Sequence, residues 1–174
     1  MSKTISYVII DTLHHKLSSL ALEKSIAQFP LDDILIFTDK PKLWGGREVI
    51  EIAELKGTVD YNQVMFYELP KFLKTECAII IQYDGYVLSG VHFNEKFLEY
   101  DYIGAPWPHF EHFNVGNGGF SFRSAKLINA VQDYLLPNDL KKPEDLIICR
   151  YLRARLEDDL GLKFAPTSVA KHFS

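Results

Sequence analysis

Four short segments of this sequence hold residue types whose chemistry goes beyond packing. The first, Ile81-Gln82-Tyr83-Asp84-Gly85-Tyr86, brings one carboxylate to a glycine-containing bend at the end of an apolar run. A carboxylate placed there suits an oxygen ligand for a divalent cation of the kind that neutralises a diphosphate, and the glycine allows close backbone approach. An Asp-Gly turn that merely ends a strand leaves the same signature. The second, YDYIGAPW (Tyr100–Trp107), is a loop constrained by Gly104, Pro106 and the following Pro108. Its Trp107 is amphipathic enough for a cleft wall or for the core.

The third segment is VGNGGFSFRS (Val115–Ser124). Asn117, Gly118 and Gly119 permit positive φ angles and close contact between backbone and ligand. Phe120 and Phe122 alternate with Ser121 and Arg123, as in a strand with one polar face. Arg123 suits a bidentate grip on a phosphate, although an Asn-Gly hairpin carrying an exposed arginine reads equally well. The fourth is Pro143-Glu144-Asp145. Two adjacent acids at a helix start cap it and offset its dipole. In a catalytic setting one holds acceptor hydroxyls while the other removes the attacking proton.

The elements that must position these residues read as an α/β chain. ISYVII (Ile5–Ile10) is nearly all apolar, as in a strand covered on both faces. A helical pattern follows through Leu20, Leu22, Ile26 and Phe29 and stops at Pro30. Ile34–Phe37 predicts a second buried strand and Glu48–Ile52 a third. Tyr61–Leu73 has helical spacing with a break or kink at Pro70, and Cys77–Gln82 is the most strand-like segment of all. Alternating strand and helix predicts a parallel sheet whose ligands bind at the carboxyl ends of its strands. Asp11, Asp39 and Asp84 each sit just past such an end. Ser89–Phe122 reads as loops and short strands, Lys126–Leu135 as a helix, and Pro143–Leu160 as a long helix with Gly161 as its stop. Phe164–Ser174 reads as a strand or extended arm.

Composition narrows the function classes. With 174 residues, 47% apolar and 24% charged, the chain is globular and long enough for a real core. A net charge of −4 argues against a nucleic-acid partner. Cys77 and Cys149 lie in apolar runs and read as reduced, buried thiols of a cytoplasmic protein. The N-terminal apolar stretch is too short for a leader, and no run approaches the ~20 residues that span a bilayer. Membrane contact, if made, is therefore peripheral. His109-Phe110-Glu111-His112 and His14-His15 read as packing, acceptor-contact or pocket-rim residues.

Taken in order, IQYDG, EYDYIGAPW, VGNGGFSFRS, PED and AKHFS, from about Tyr61 to Ser174, resemble an uncharacterised family of bacterial and viral glycosyltransferase-like domains, itself similar to GT-A glycosyltransferases. The resemblance implies one GT-A-like, Rossmann-like domain over residues 1–174, with a central mixed, mostly parallel sheet flanked by helices. Residues 1–90 would be its nucleotide-binding half and 91–174 its acceptor and catalytic half. It implies that Asp11, Thr12 and Asp39 line the base pocket, with Asn117, Gly118, Gly119 and Arg123 also on the donor side. Asp84 would stand where such enzymes place a metal-binding Asp-x-Asp, with His172 as a further ligand to Mn²⁺ or Mg²⁺. Trp107 and Glu144 would face the acceptor, and Asp145 would be the catalytic base of an inverting enzyme. Only one carboxylate of the Asp-x-Asp is present.

The activity so implied is transfer of a sugar from a nucleotide-diphosphate sugar to a hydroxyl of a glycan or lipid-linked glycan. A module that binds a nucleotide sugar or glycan without transfer is the alternative that the missing acid favours. A nucleotidyltransferase shares the strand-end carboxylates, but it needs a glycine-rich basic loop after the first strand, where this chain has DTLHHK.

Overall fold

Ile5–Ile10 forms the central strand β1, and Tyr7, Val8 and Ile9 on it are fully buried. Its alternating side chains enter two different cores. Val8 and Ile10 pack with Phe37, Ala78 and Ile80 on one face, while Tyr7 and Ile9 pack with Leu22, Ile36 and Ile79 on the other. That two-sided cover is why the strand reads as a continuous apolar run. The molecule is seen in a computed structural model that describes residues 3–31 and 33–174; Met1 and Ser2 of the stretch weighed above as a leader lie outside these.

After β1 come α1 (His15–Gln28), β2 (Asp33–Thr38) and a two-residue β3 (Ile50–Glu51), shorter than the Glu48–Ile52 predicted from alternation. Next are α2 (Thr58–Gln63), α3 (Leu69–Phe72) and β4 (Cys77–Ile80). Six strands among the described residues make one sheet of order β3-β2-β1-β4-β6-β5, where β5 is Tyr102–Ile103 and β6 is Ser121–Ser124. The first four are parallel, with Val8 opposite both Leu35 and Ile80. β6 runs antiparallel to β4, and β5 antiparallel to β6. This is the mixed, mostly parallel sheet expected.

The helices depart from their expected outlines for identifiable reasons. Between α2 and α3 lies a π-helical turn, Val64–Glu68, in which the Leu69 N–H reaches the Val64 carbonyl five residues back. Pro70 has no N–H and clashes with a regular turn before it, so a wider turn takes up the strain. The predicted Pro143–Leu160 helix is likewise three pieces: α5 (Glu144–Leu146), a π-helical turn (Ile147–Tyr151) and α6 (Arg153–Leu160). The wide turn buries Ile147, Ile148 and Cys149 in succession. Gly161, at φ 64°, ends α6 as expected. α4 (Ala125–Ala130) continues as a 3₁₀ turn to Tyr134. The tail, expected to be extended, instead folds into the short α7 (Thr167–Ala170), and only Phe164 pairs with the sheet, beside Tyr102.

Cys77 and Cys149 are both free and buried, and burial pushes the Cys77 thiol up to about 11. No helix among the described residues is long and apolar enough to cross a membrane.

Candidate active site

The chain leaves β1 toward β2, then crosses back to lay β4 on the other side of β1. Such a reversal opens a crevice beyond the carboxyl ends of the two strands. Two adjoining cavities lie there. The first, about 230 Å³, is walled by Ile9–His14 at the end of β1, by Leu55, and by Tyr83 beyond β4. The second, about 400 Å³, is walled by Asn117–Gly119 and Pro143–Asp145. Gly57, Tyr61 and Gln82 belong to both walls, so the two are lobes of one crevice with Tyr61 and Gln82 at its waist. The Gln82 amide reaches toward the Tyr61 hydroxyl at 3.5 Å. Burial and then the nearby Glu144 push the Tyr61 hydroxyl up, which keeps it protonated.

In the first lobe, Asp11 Oδ1 accepts the N–H groups of Leu13 (3.0 Å) and His14 (2.9 Å), turning the chain into α1. Among the described residues its Oδ2 is buried without a partner. Thr12 accepts the Leu55 N–H at 3.0 Å and so ties the loop after β3 to the lobe wall. The rings of His14 and Tyr83 meet at 4.2 Å on the rim. Asp39 is not on the lining; its Oδ1 lies 2.7 Å from His15 Nε2. Burial would push the Asp39 carboxyl up, but hydrogen bonding and charge from His15 outweigh it and hold the group below its ordinary value.

The second lobe rests on a buried ion pair. Arg123 Nη2 lies 2.9 Å from Glu144 Oε1, with the two side chains 1% and 7% exposed. The guanidinium also donates to Ser121 Oγ (3.0 Å) and to the Gly118 carbonyl (3.4 Å). Burial opposes the guanidinium's charge, and Glu144 more than offsets that, so its pKa is raised. Burial likewise pushes the Glu144 carboxyl up, against the pull of Arg123. Glu144 Oε2 is buried and has no partner among the described residues. Asp145, next in the chain, is only half-buried: Oδ2 accepts the Gly118 N–H at 3.3 Å and Oδ1 the Leu146 N–H at 2.8 Å.

Thus Asp11 and Thr12 gather in one lobe, and Asn117, Gly118, Gly119, Glu144 and Asp145 in the other. Arg123, expected to grip a donor phosphate, is instead walled off against Glu144. Trp107 packs over Gly116, where a Cβ would run into its ring, and is not on the lining. The glycines 118 and 119 are not the left-handed residues; Asn117 is, at φ 64°. Gly118 is needed for room, because a Cβ there would collide with Glu144 Oε1 and lie 3.1 Å from Arg123 Nη2. Gly118→Ala is therefore expected to destabilise the fold by about 1–3 kcal/mol, as overpacking does, read from the midpoint of urea unfolding.

Asp84 stands exposed at the tip of the tight turn closed by Gln82 and Gly85. His172 lines a separate depression with Phe93, Phe97 and Phe120. Among the described residues no three His, Cys, Asp or Glu side chains are grouped to share a metal ion. Asp84 and His172 thus do not fit the expected site for Mn²⁺ or Mg²⁺. Residue patterns singled out neither Tyr61 nor Gln82. Gln82 lies inside IQYDG, where a search for carboxylates passes over it, and Tyr61 reads as a helix start.

The class this architecture defines is a single α/β domain built on a mixed, mostly parallel sheet, with its crevice at the strand-order reversal. Within that class the chain belongs to a family described as a protein of unknown function, DUF5672, whose sequence profile matches residues 48–174. The crystal structure of a glycosyltransferase involved in the glycosylation of the major capsid of PBCV-1 is similar in fold, with a TM-score of 0.58 at 12% identity over 93% of this chain and 81% of that one. The bifunctional IspDF from Campylobacter jejuni is also similar, with a TM-score of 0.51 at 10% identity over 93% of this chain, which spans about half (48%) of that protein. No curated protein matches the chain in sequence.

Proposed function

We propose that this protein transfers a sugar from a nucleoside-diphosphate sugar to a hydroxyl of a glycan, with inversion. The observation that carries this reading is the two-lobed crevice. A lobe at the end of β1 opens, across Tyr61 and Gln82, into a lobe that presents the Asp145 carboxylate. The nucleoside occupies the first lobe, beside Asp11 and Thr12. The sugar lies at the waist against Gln82, Gly118 and Gly119, and the acceptor hydroxyl enters the second lobe. Asp145 takes the acceptor's proton as its oxygen bonds to the anomeric carbon. The bond from that carbon to the diphosphate oxygen breaks on the opposite face, and the nucleoside diphosphate leaves. Holding both reactants in line removes much of the entropic barrier. A lipid-linked glycan remains within the acceptor class, and the exposed Leu13, Leu17 and Leu20 at the start of α1 support peripheral contact with a membrane.

One observation favours binding without transfer. The lining carries three carboxylates, Asp11, Glu144 and Asp145, and no lysine or arginine among the described residues, so His14 is the one side chain there that can bring positive charge to a leaving diphosphate. Incubation with UDP- and GDP-sugars plus glycan acceptors, with and without Mn²⁺, separates the two readings. Transfer predicts nucleoside diphosphate release that depends on acceptor. Saturable binding of donor with no release above the protein-free rate would establish the binding module instead.

A further inference from the structure

The candidate base is mounted on a closed ring of contacts that begins outside the crevice. Arg123 Nη2 holds Glu144 Oε1 at 2.9 Å and the Gly118 carbonyl at 3.4 Å. Glu144 is covalently joined to Asp145, and Asp145 Oδ2 in turn accepts the Gly118 N–H at 3.3 Å. Ser121 Oγ braces both ends, donating to the Gly118 carbonyl at 3.1 Å and accepting from Arg123 Nε at 3.0 Å. Two segments 27 residues apart, the Asn117–Gly119 loop and the start of α5, are thereby fixed to each other through one guanidinium. The bonds to Gly118, at 3.3 and 3.4 Å, are long for N–H···O.

We propose that Arg123 is the positioning residue of the second lobe: it touches no reactant, and by clamping Glu144 and the Gly118 carbonyl together it sets the distance and direction of the Asp145 carboxylate. A planar guanidinium can serve both acceptors and Ser121 at once; a lysine ammonium has no such fork. The inference rests on Asp145 acting as the base of the transfer proposed above.

The test is Arg123→Lys, which keeps the charge beside Glu144 and loses the clamp. Its kcat is expected to fall about 10–100-fold, as for a small misplacement of a catalytic group, with KM for the donor unchanged. A purely structural arginine would lower kcat only in proportion to the native fraction, and this result overturns the inference. Where Arg123→Lys does not fold, Ser121→Ala loosens the same clamp without touching charge. It is then expected to lower kcat about three- to tenfold with KM for the donor unchanged, and a wild-type kcat would overturn the inference. Amide hydrogen exchange at Gly118 reads the clamp with no substrate present. Faster exchange in these variants supports it, and unchanged exchange overturns it. A wild-type protein that releases no nucleoside diphosphate with any donor defeats the transfer reading, while the exchange measurement still decides whether Arg123 fixes the loop.

Discussion

Arg123→Met should cost the fold about 3–5 kcal/mol, because it leaves Glu144 buried with no opposite charge. Glu144 is 6% exposed and already has one carboxylate oxygen without a partner, so the other would join it. Urea unfolding followed by circular dichroism should show a lower midpoint at unchanged slope. The sign with pH is fixed by the same burial. The Glu144 carboxyl is pushed above its ordinary value even with Arg123 in place, and removing Arg123 takes away the contribution that lowers it. A folded-state pKa above the unfolded one means that the native state holds its proton longer. The variant's stability is then fully present below the ordinary carboxylate range and is lost as pH rises through the raised folded value. The deficit against wild type should therefore shrink as pH is lowered. Arg123→Met combined with Glu144→Met should recover most of the loss, since a well-packed apolar pair replaces a buried ion pair at little cost. A double variant as unstable as the single one would mean that packing around the arginine stem, and not the orphaned charge, governs the effect.

That ion pair also shows where local pattern stops being informative. FSFRS was legible as a strand with alternating faces, and β6 does bury Phe122. What Arg123 does depends on an acid 21 residues away, and no spacing rule reports that. Asp39 is a similar case: it sits just past β2, as read, but His15, 24 residues earlier, takes its carboxylate. Asp84 reads as a cation ligand because IQYDG ends a buried strand, yet the tight Gln82–Gly85 turn carries its side chain out to solvent at the tip.

The strands were the most legible feature. Ile5–Ile10, Ile34–Phe37 and Cys77–Gln82 are apolar without alternation, which only a sheet covered on both faces requires, and β1, β2 and β4 lie within or around those spans. Asp11 with Thr12, and Asn117–Gly119 with Glu144 and Asp145, were also findable. Asp11 follows from the strand-end rule and Thr12 from the family resemblance, and the others stand out as glycine-rich or paired-acid segments. Tyr61 and Gln82 were not findable, because the waist exists only where α2 crosses the end of β4, a tertiary event with no local signature.

Asp145→Asn is expected to lower kcat about 10²–10⁴-fold, the contribution of a general base, while donor binding stays at the wild-type level. The two oxygens of Asp145 do different work. Oδ1 takes the Leu146 N–H at 2.8 Å and holds the side chain against the start of α5. Oδ2 points to the Gly118 N–H at 3.3 Å, a long contact that leaves this oxygen available to an incoming hydroxyl. An asparagine can keep its carbonyl oxygen on the Leu146 N–H, but it then turns an N–H₂ toward Gly118 and has no basic atom for the acceptor's proton. The side chain is half-buried and carries no ion pair among the described residues, so the substitution should cost the fold no more than about 1 kcal/mol, the worth of the one hydrogen bond lost to Gly118. Loss of turnover can then be assigned to chemistry and not to the fold. Equilibrium binding of UDP or GDP together with single-turnover transfer gives the required split. Unaltered binding with a slowed chemical step places Asp145 at the reacting oxygen, and an undiminished rate would remove it from the role of base and turn attention to water or to the acceptor's own groups.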